Sequence, residues 1–149
     1  MQAVEAPTKV PFTLTQDDGN ITEADGTANL WSDLWKYQVP EGTGIILETG
    51  NTFACYLEDA AAEIGDDTGY VKIEHRDPSG QDKVNVFGAA IYLRVKDFQS
   101  QYKIAKLRLD KPVMVYPKQW LVVMAYDDGA IDASDSYFEL KTSKVASPL

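Results

Sequence analysis

The sequence predicts an all-β fold, an antiparallel jelly-roll sandwich of about eight strands with an extended N-terminal arm and a short C-terminal tail. Three observations carry that expectation. Between Tyr37 and Leu140, short apolar runs alternate with Gly, Pro and Asp turns at close spacing, the pattern of a sandwich or barrel. Within that span long helical periodicity is missing, and only Leu57–Ile64 carries a brief helical spacing. Finally, Ile46–Leu57 resembles Val113–Met124: each reads as an apolar strand, a tight polar turn, an aromatic residue and a second apolar strand. Two such hairpins in opposite halves fit the paired Greek keys of a jelly roll.

In chain order, residues 1–36 form the arm, 37–142 the β domain and 143–149 the tail. Arm and tail have too little apolar content to fold alone, and free ends are ordered only when something ties them down. A neighbouring subunit is the expected anchor. Within the arm, Val10-Pro11-Phe12-Thr13-Leu14-Thr15 alternates, with Val10, Phe12 and Leu14 on one side. Pro11 marks an edge position, because it has no amide hydrogen to donate. Turn clusters follow at Asp17-Asp18-Gly19-Asn20 and Ala24-Asp25-Gly26. Leu30, Trp31, Leu34 and Trp35 then stand at helical spacing, so a helical turn capped near Asn29 competes with a strand.

The domain opens at Tyr37-Gln38-Val39-Pro40, and its expected strands are 43–48, 51–58, 69–76, 83–96, 103–109, 112–116, 119–126 and 136–142. The fourth of these changes parity, from Val84 and Val86 to Phe87, Ala89, Ile91, Leu93 and Val95. A bulge at Phe87-Gly88, or passage of one strand between sheets, produces such a switch. Trp120–Tyr126 is apolar on both faces, whereas a sandwich strand normally leaves one face polar. Something has to cover the second face, and an arm or a neighbouring subunit are the candidates.

Composition narrows the function. A hydrophobic content of 44% in 149 residues lets one domain bury a core without disulfides. The single Cys55 excludes an intrachain disulfide and a cysteine-based zinc cluster. A net charge of −9 opposes binding to nucleic acid or an anionic membrane, which needs a cationic surface. No apolar run approaches the ~20 residues that span a bilayer. Met1–Glu5 lacks the basic and apolar regions of a signal peptide, so the chain is expected in the cytoplasm where it is made, whatever its final destination.

No catalytic constellation emerges, and the chain is not expected to be an enzyme. His75, the one histidine, shares a strand face with Val71 and Ile73 and reads as a sheet-rim residue rather than a base or ligand. A hydrolase triad needs a histidine beside a nucleophile and an acid, and no Gly-x-Ser-x-Gly elbow or phosphate loop occurs. Cys55 alternates with Phe53 and Leu57 and reads as a small buried hydrophobe. The best metal candidate is Asp127–Asp135, whose four carboxylates suit calcium, although a solvated hairpin loop is the favoured reading. Glu58, Asp59, Glu63, Asp66 and Asp67 are likewise expected in solvent rather than around an ion. Trp31, Trp35, Tyr37 and Tyr92 would serve a sugar-binding platform, but aromatics more often pack cores and interfaces.

Tyr37-Gln38-Val39-Pro40-Glu41-Gly42-Thr43, the turn Thr49-Gly50-Asn51-Thr52-Phe53 and Val113–Met124 together resemble the jelly-roll decoration (auxiliary, or cement) proteins of tailed bacteriophage capsids. The resemblance spans roughly residues 37–142 and is one of pattern. It implies a homotrimer on the capsid exterior that clamps neighbouring major capsid proteins through its arms, with no cofactor and no catalytic residues. By that analogy Val10, Phe12 and Leu14 are the strand-adding segment, and Leu30, Trp31 and Trp35 anchor the arm at the subunit and capsid interface. A tail or fibre component, or a carbohydrate-binding module, is the competing reading.

Overall fold

The computed structural model describes residues 9–59, 69–86, 93–94, 105–107 and 109–146. Among these the chain is all-β. Its strands are β1 (Val10–Thr15), β2 (Ile21–Glu23), β3 (Ser32–Gln38), β4 (Thr43–Leu47), β5 (Thr52–Asp59) and β6 (Tyr70–Arg76). They continue as β7 (Lys83–Asn85), β8 (Leu93–Arg94), β9 (Ala105–Lys106), β10 (Val113–Val115), β11 (Trp120–Tyr126) and β12 (Ile131–Ala146).

Every pairing among the described residues is antiparallel, and the strands divide between two sheets. The first holds β1, β4, β5, β9, β10 and β12; the second holds β2, β3, β6, β7, β8 and β11. Followed along the chain, membership alternates: β1, then β2–β3, then β4–β5, then β6–β8, then β9–β10, then β11, then β12. Each change of sheet is a corner, and a chain that keeps turning corners in this way is a jelly roll. The first sheet is organised around β12. Leu140 pairs with Leu14 on one side and Phe53 on the other, and Ser143 pairs with Pro11 and Ile46. So β1 flanks β12 on one side while β4 and β5 lie end to end on the other.

Inward-facing residues come from both sheets. Leu14, Phe53, Leu57, Phe138 and Leu140 meet Trp35, Tyr37, Ile73, Leu121 and Val123, all of them buried. Trp35 and Phe138 hold their ring centroids 5.0 Å apart across the sandwich. Burial of this set at about 25 cal/mol per Å² of apolar area is what drives the sheets together.

Several expectations change. The arm is not separate: β1 pairs residue for residue with β12, and β2 and β3 are strands of the second sheet. The boundary at residue 36 therefore falls inside β3. The tail boundary at 143 falls inside β12, whose residues 143–146 pair with β4. The choice at Leu30–Trp35 goes to a strand. Val123 pairs with Trp35 but Met124 with Asp33, so Leu34 is an extra residue in β3. That bulge sends Leu34 and Trp35 inward together and imitates helical spacing. Neither expected hairpin exists. β4 and β5 run the same way along β12, with Glu48–Asn51 inserted between them, and the turn after β10 carries the chain to the other sheet. The resemblance of the two segments is real, but it reports a kink in one case and a corner in the other. The parity switch at Phe87-Gly88 and most of Leu57–Ile64 lie outside the described residues; Leu57–Asp59 belong to β5.

Candidate functional site

Among the described residues no three or more His, Cys, Asp or Glu side chains gather closely enough to hold a metal ion. His75 lies near the end of β6, and its Nε2 is 2.8 Å from Gln119 Oε1, which also accepts the Tyr116 amide. It is a rim residue held to the neighbouring corner. Cys55 is 4% exposed, and burial pushes its thiol far above the ordinary range. Candidate function therefore rests on surfaces.

The outer face of the second sheet is the most elaborate of them. Arg76 on β6 is buried and grips Asp33 of β3 with two bonds of 2.8 and 2.7 Å, while also donating to Glu74 Oε1 at 2.8 and 3.0 Å. The hydrogen bond from Arg76 holds the Asp33 carboxyl below its usual range, burial opposing. Lys72 reaches Glu74 at 3.5 Å and stands 4.5 Å above the Trp31 ring. Lys36 stands 5.5 Å over Trp120. Lys36 and Lys72 set their charges over the Trp120 and Trp31 rings, whereas Arg76 keeps its guanidinium buried between Asp33 and Glu74. Val122 is 0% exposed and Met124 8% in the isolated chain, so the second apolar face of β11 finds its cover on its own sheet. Of the two expected covers, the N-terminal segment supplies part, through Trp31, Asp33 and Lys36, with Lys72 and Arg76 of β6 beside them.

The interface residues expected from the sequence scatter. Leu14 (1% exposed) and Trp35 (0%) are core; Trp35 donates its indole N–H to Glu23 at 2.9 Å. Neither is available to a partner, because β1 and β3 put them between the sheets. Phe12 is half-buried, 6.1 Å from Tyr37 and beneath Lys144 at 4.2 Å. Trp31 is half-buried on the outer face of the second sheet beside Tyr126, 6.0 Å away. Only Val10 and Leu30 of the six, 48% and 58% exposed, are open apolar surface. Leu30 directly precedes Trp31, and Val10 and Phe12 stand at alternate positions of β1. The sugar platform fails too, since Trp35 and Tyr37 are core and Tyr92 lies outside the described residues. Burial pushes the Tyr37 hydroxyl up to about 12.

Other surface residues escaped sequence reasoning. Tyr56 and Tyr137 stack at 5.3 Å and 17° on the outside of the first sheet, and Tyr116 and Val84 are well exposed. Alternation was the missed signal: with Phe53, Cys55 and Leu57 inside, Tyr56 has to face out. A cleft of about 310 Å³ opens beside Trp120, lined by Asn20, Thr22, Gln38 and Glu41 with Lys118. The acidic segment also differs from expectation. Ile131–Asp135 is strand, and Asp127, expected in solvent, is 1% exposed.

No family model and no curated protein sequence matches the chain. Among solved structures it is similar to VP17, a capsid protein of bacteriophage P23-77, with a TM-score of 0.64 at 8% identity, covering 98% of this chain and 100% of that one. It is likewise similar to the VP16–VP17 complex, a complex of the two major capsid proteins of the same phage, with a TM-score of 0.63 at 7% identity. That match covers 92% of this chain and 98% of the other. At such identities the likeness is one of fold: two jelly rolls matched over nearly their whole length.

Proposed function

We propose that this chain is a structural virion protein that packs into a bacteriophage capsid. The observation that supports this best is the two-way coverage with VP17, 98% and 100%, so the likeness is of the entire sandwich rather than of a shared hairpin. In the finer form of the proposal the chain assembles as a homotrimer, sits on the outside of the shell and clamps neighbouring major capsid proteins. Val10 with Phe12 and Leu30 with Trp31 supply its apolar contacts, with no cofactor. The acidic exterior agrees with contacts to protein rather than nucleic acid or membrane. Clamping then works by multivalency, many modest contacts having to break together.

A second reading has a specific observation behind it. The VP16–VP17 complex unites two major capsid proteins, so the fold likeness supports a shell-building subunit as well as a decoration. Native mass spectrometry and co-sedimentation with shells of the major capsid protein separate the possibilities. A trimer that adds to preformed shells supports decoration, and a chain needed before closed shells form supports a building role. A monomer that does neither at about 100 μM, well above the Kd of a specific interface, contradicts both.

A further inference from the structure

We infer that the cleft beside Trp120 binds a neutral oligosaccharide. It opens at one end of the second sheet, where Asn20 and Thr22 of the β2 hairpin, the end of β3 and the corner before β11 come together. Its volume of about 310 Å³ lies at the small end of ligand clefts. Trp120, half-buried, is its aromatic wall, and none of the residues the sequence suggested as a sugar platform lines it. The ring is fixed in place, because its indole N–H donates to the Pro78 carbonyl at 3.2 Å. A held indole offers flat apolar surface to the C–H face of a sugar at little entropic cost.

The remaining walls are mostly polar and carry no net charge. Asn20 and Gln38 bring amides, Thr22 brings a hydroxyl, and the ionic lining residues, Glu41 and Lys118, pair with each other at 2.9 Å. A charged ligand would meet no uncompensated partner there. Sugar hydroxyls, each both donor and acceptor, match amides, a hydroxyl and a carboxylate–ammonium pair. The backbone gives an independent sign. Tyr116–Gln119 is a tight turn, closed by the Gln119 amide on the Tyr116 carbonyl at 3.1 Å, and Lys118 stands third in it with φ at +69°. That position favours glycine. Strain kept at a lysine marks a side chain in use, and Gln38 Nε2 braces the same residue by donating to its carbonyl at 3.1 Å.

The test is titration of the full chain with neutral tetrasaccharides of glucose, mannose, galactose and N-acetylglucosamine. Each is taken to about 10 mM, because an open cleft with few contacts binds on the order of 1 mM. Saturation-transfer NMR reads contact with the sugar ring protons, and the indole N–H resonances of the three tryptophans locate it. At least one tetrasaccharide should bind and move the Trp120 resonance, leaving that of Trp35, buried and bonded to Glu23, in place. Trp120→Ala should abolish binding, and Trp31→Phe, outside the cleft, should retain it. Lys118→Gly should weaken binding roughly threefold or more. Its melting point should stay within about 3 °C of the wild type, since glycine suits the turn and an exposed ion pair contributes little. Absence of saturation transfer from every tetrasaccharide overturns the assignment, as does affinity that survives both Trp120→Ala and Lys118→Gly. Sugar recognition here does not depend on a place in a capsid, so either can fail without the other.

Discussion

Single residues on the outer face of the second sheet show how an acidic protein hides apolar surface without a partner. Arg76 ties β3 to β6 and touches Met124 Sδ at 3.3 Å, so one guanidinium joins three strands. Arg76→Met should destabilise the fold by about 2 kcal/mol at pH 7, less than a fully buried pair because Asp33 is partly in water. The sign with pH follows from Asp33, whose carboxyl titrates below the ordinary 3.8 in the folded state. Its contribution is complete above that ordinary value and disappears as the pH falls through the lowered folded one. Chemical denaturation from pH 7 to pH 2 should therefore show the wild type and Arg76→Met drawing together once the pH falls below 3.8. Curves that stay parallel would deny the ion pair its role. Cys55 offers a simpler check. Buried, with its thiol pushed up by desolvation, it should react with a disulfide reagent roughly 100-fold more slowly in the native than in the denatured chain.

Among the elements, β1 is the decisive case. Its alternation was legible, as was the edge position implied by Pro11, yet nothing local says which sheet edge the strand joins. The register Leu14↔Leu140 is a long-range choice, made because β12 offers Phe138 and Leu140 inward at matching height. The double substitution Phe12→Ala with Leu14→Ala should lower the melting point by roughly 10 °C, since Leu14 alone contributes about 3 kcal/mol of core packing. A melting point unmoved by both changes would place β1 off the sandwich. The strands from 43 to 59 and from 69 to 76 were readable because inward apolar residues recur at every second position, as Ile45 and Leu47, Phe53, Cys55 and Leu57, and Val71 and Ile73. What failed was their partnership: Thr49-Gly50-Asn51 has turn chemistry, but Gly50 and Asn51 direct backbone groups to Leu107, leaving β4 and β5 in line. Leu34 and Trp35 misled for a related reason, because a bulge and a helical turn share adjacent inward residues.

For the molecule as a whole, fold class followed from strand density and turn spacing, while the candidate surfaces did not follow from hydrophobicity. Trp35 and Leu14 looked like anchors because they are large and apolar, and those same properties put them in the core. Tyr137 and Tyr116 are open aromatic surface, with Tyr56 half-buried against Tyr137, and only a known inside and outside could identify them. A sandwich that closes its own core and carries such a surface belongs, on the proposal above, in a capsid. Quantitative mass spectrometry of density-purified virus particles from cells that make the chain, set against the soluble fraction of the lysate, decides the matter. The chain should be in the particles at a fixed ratio to the major capsid protein. Confinement to the soluble fraction, with particles complete without it, would contradict the capsid role.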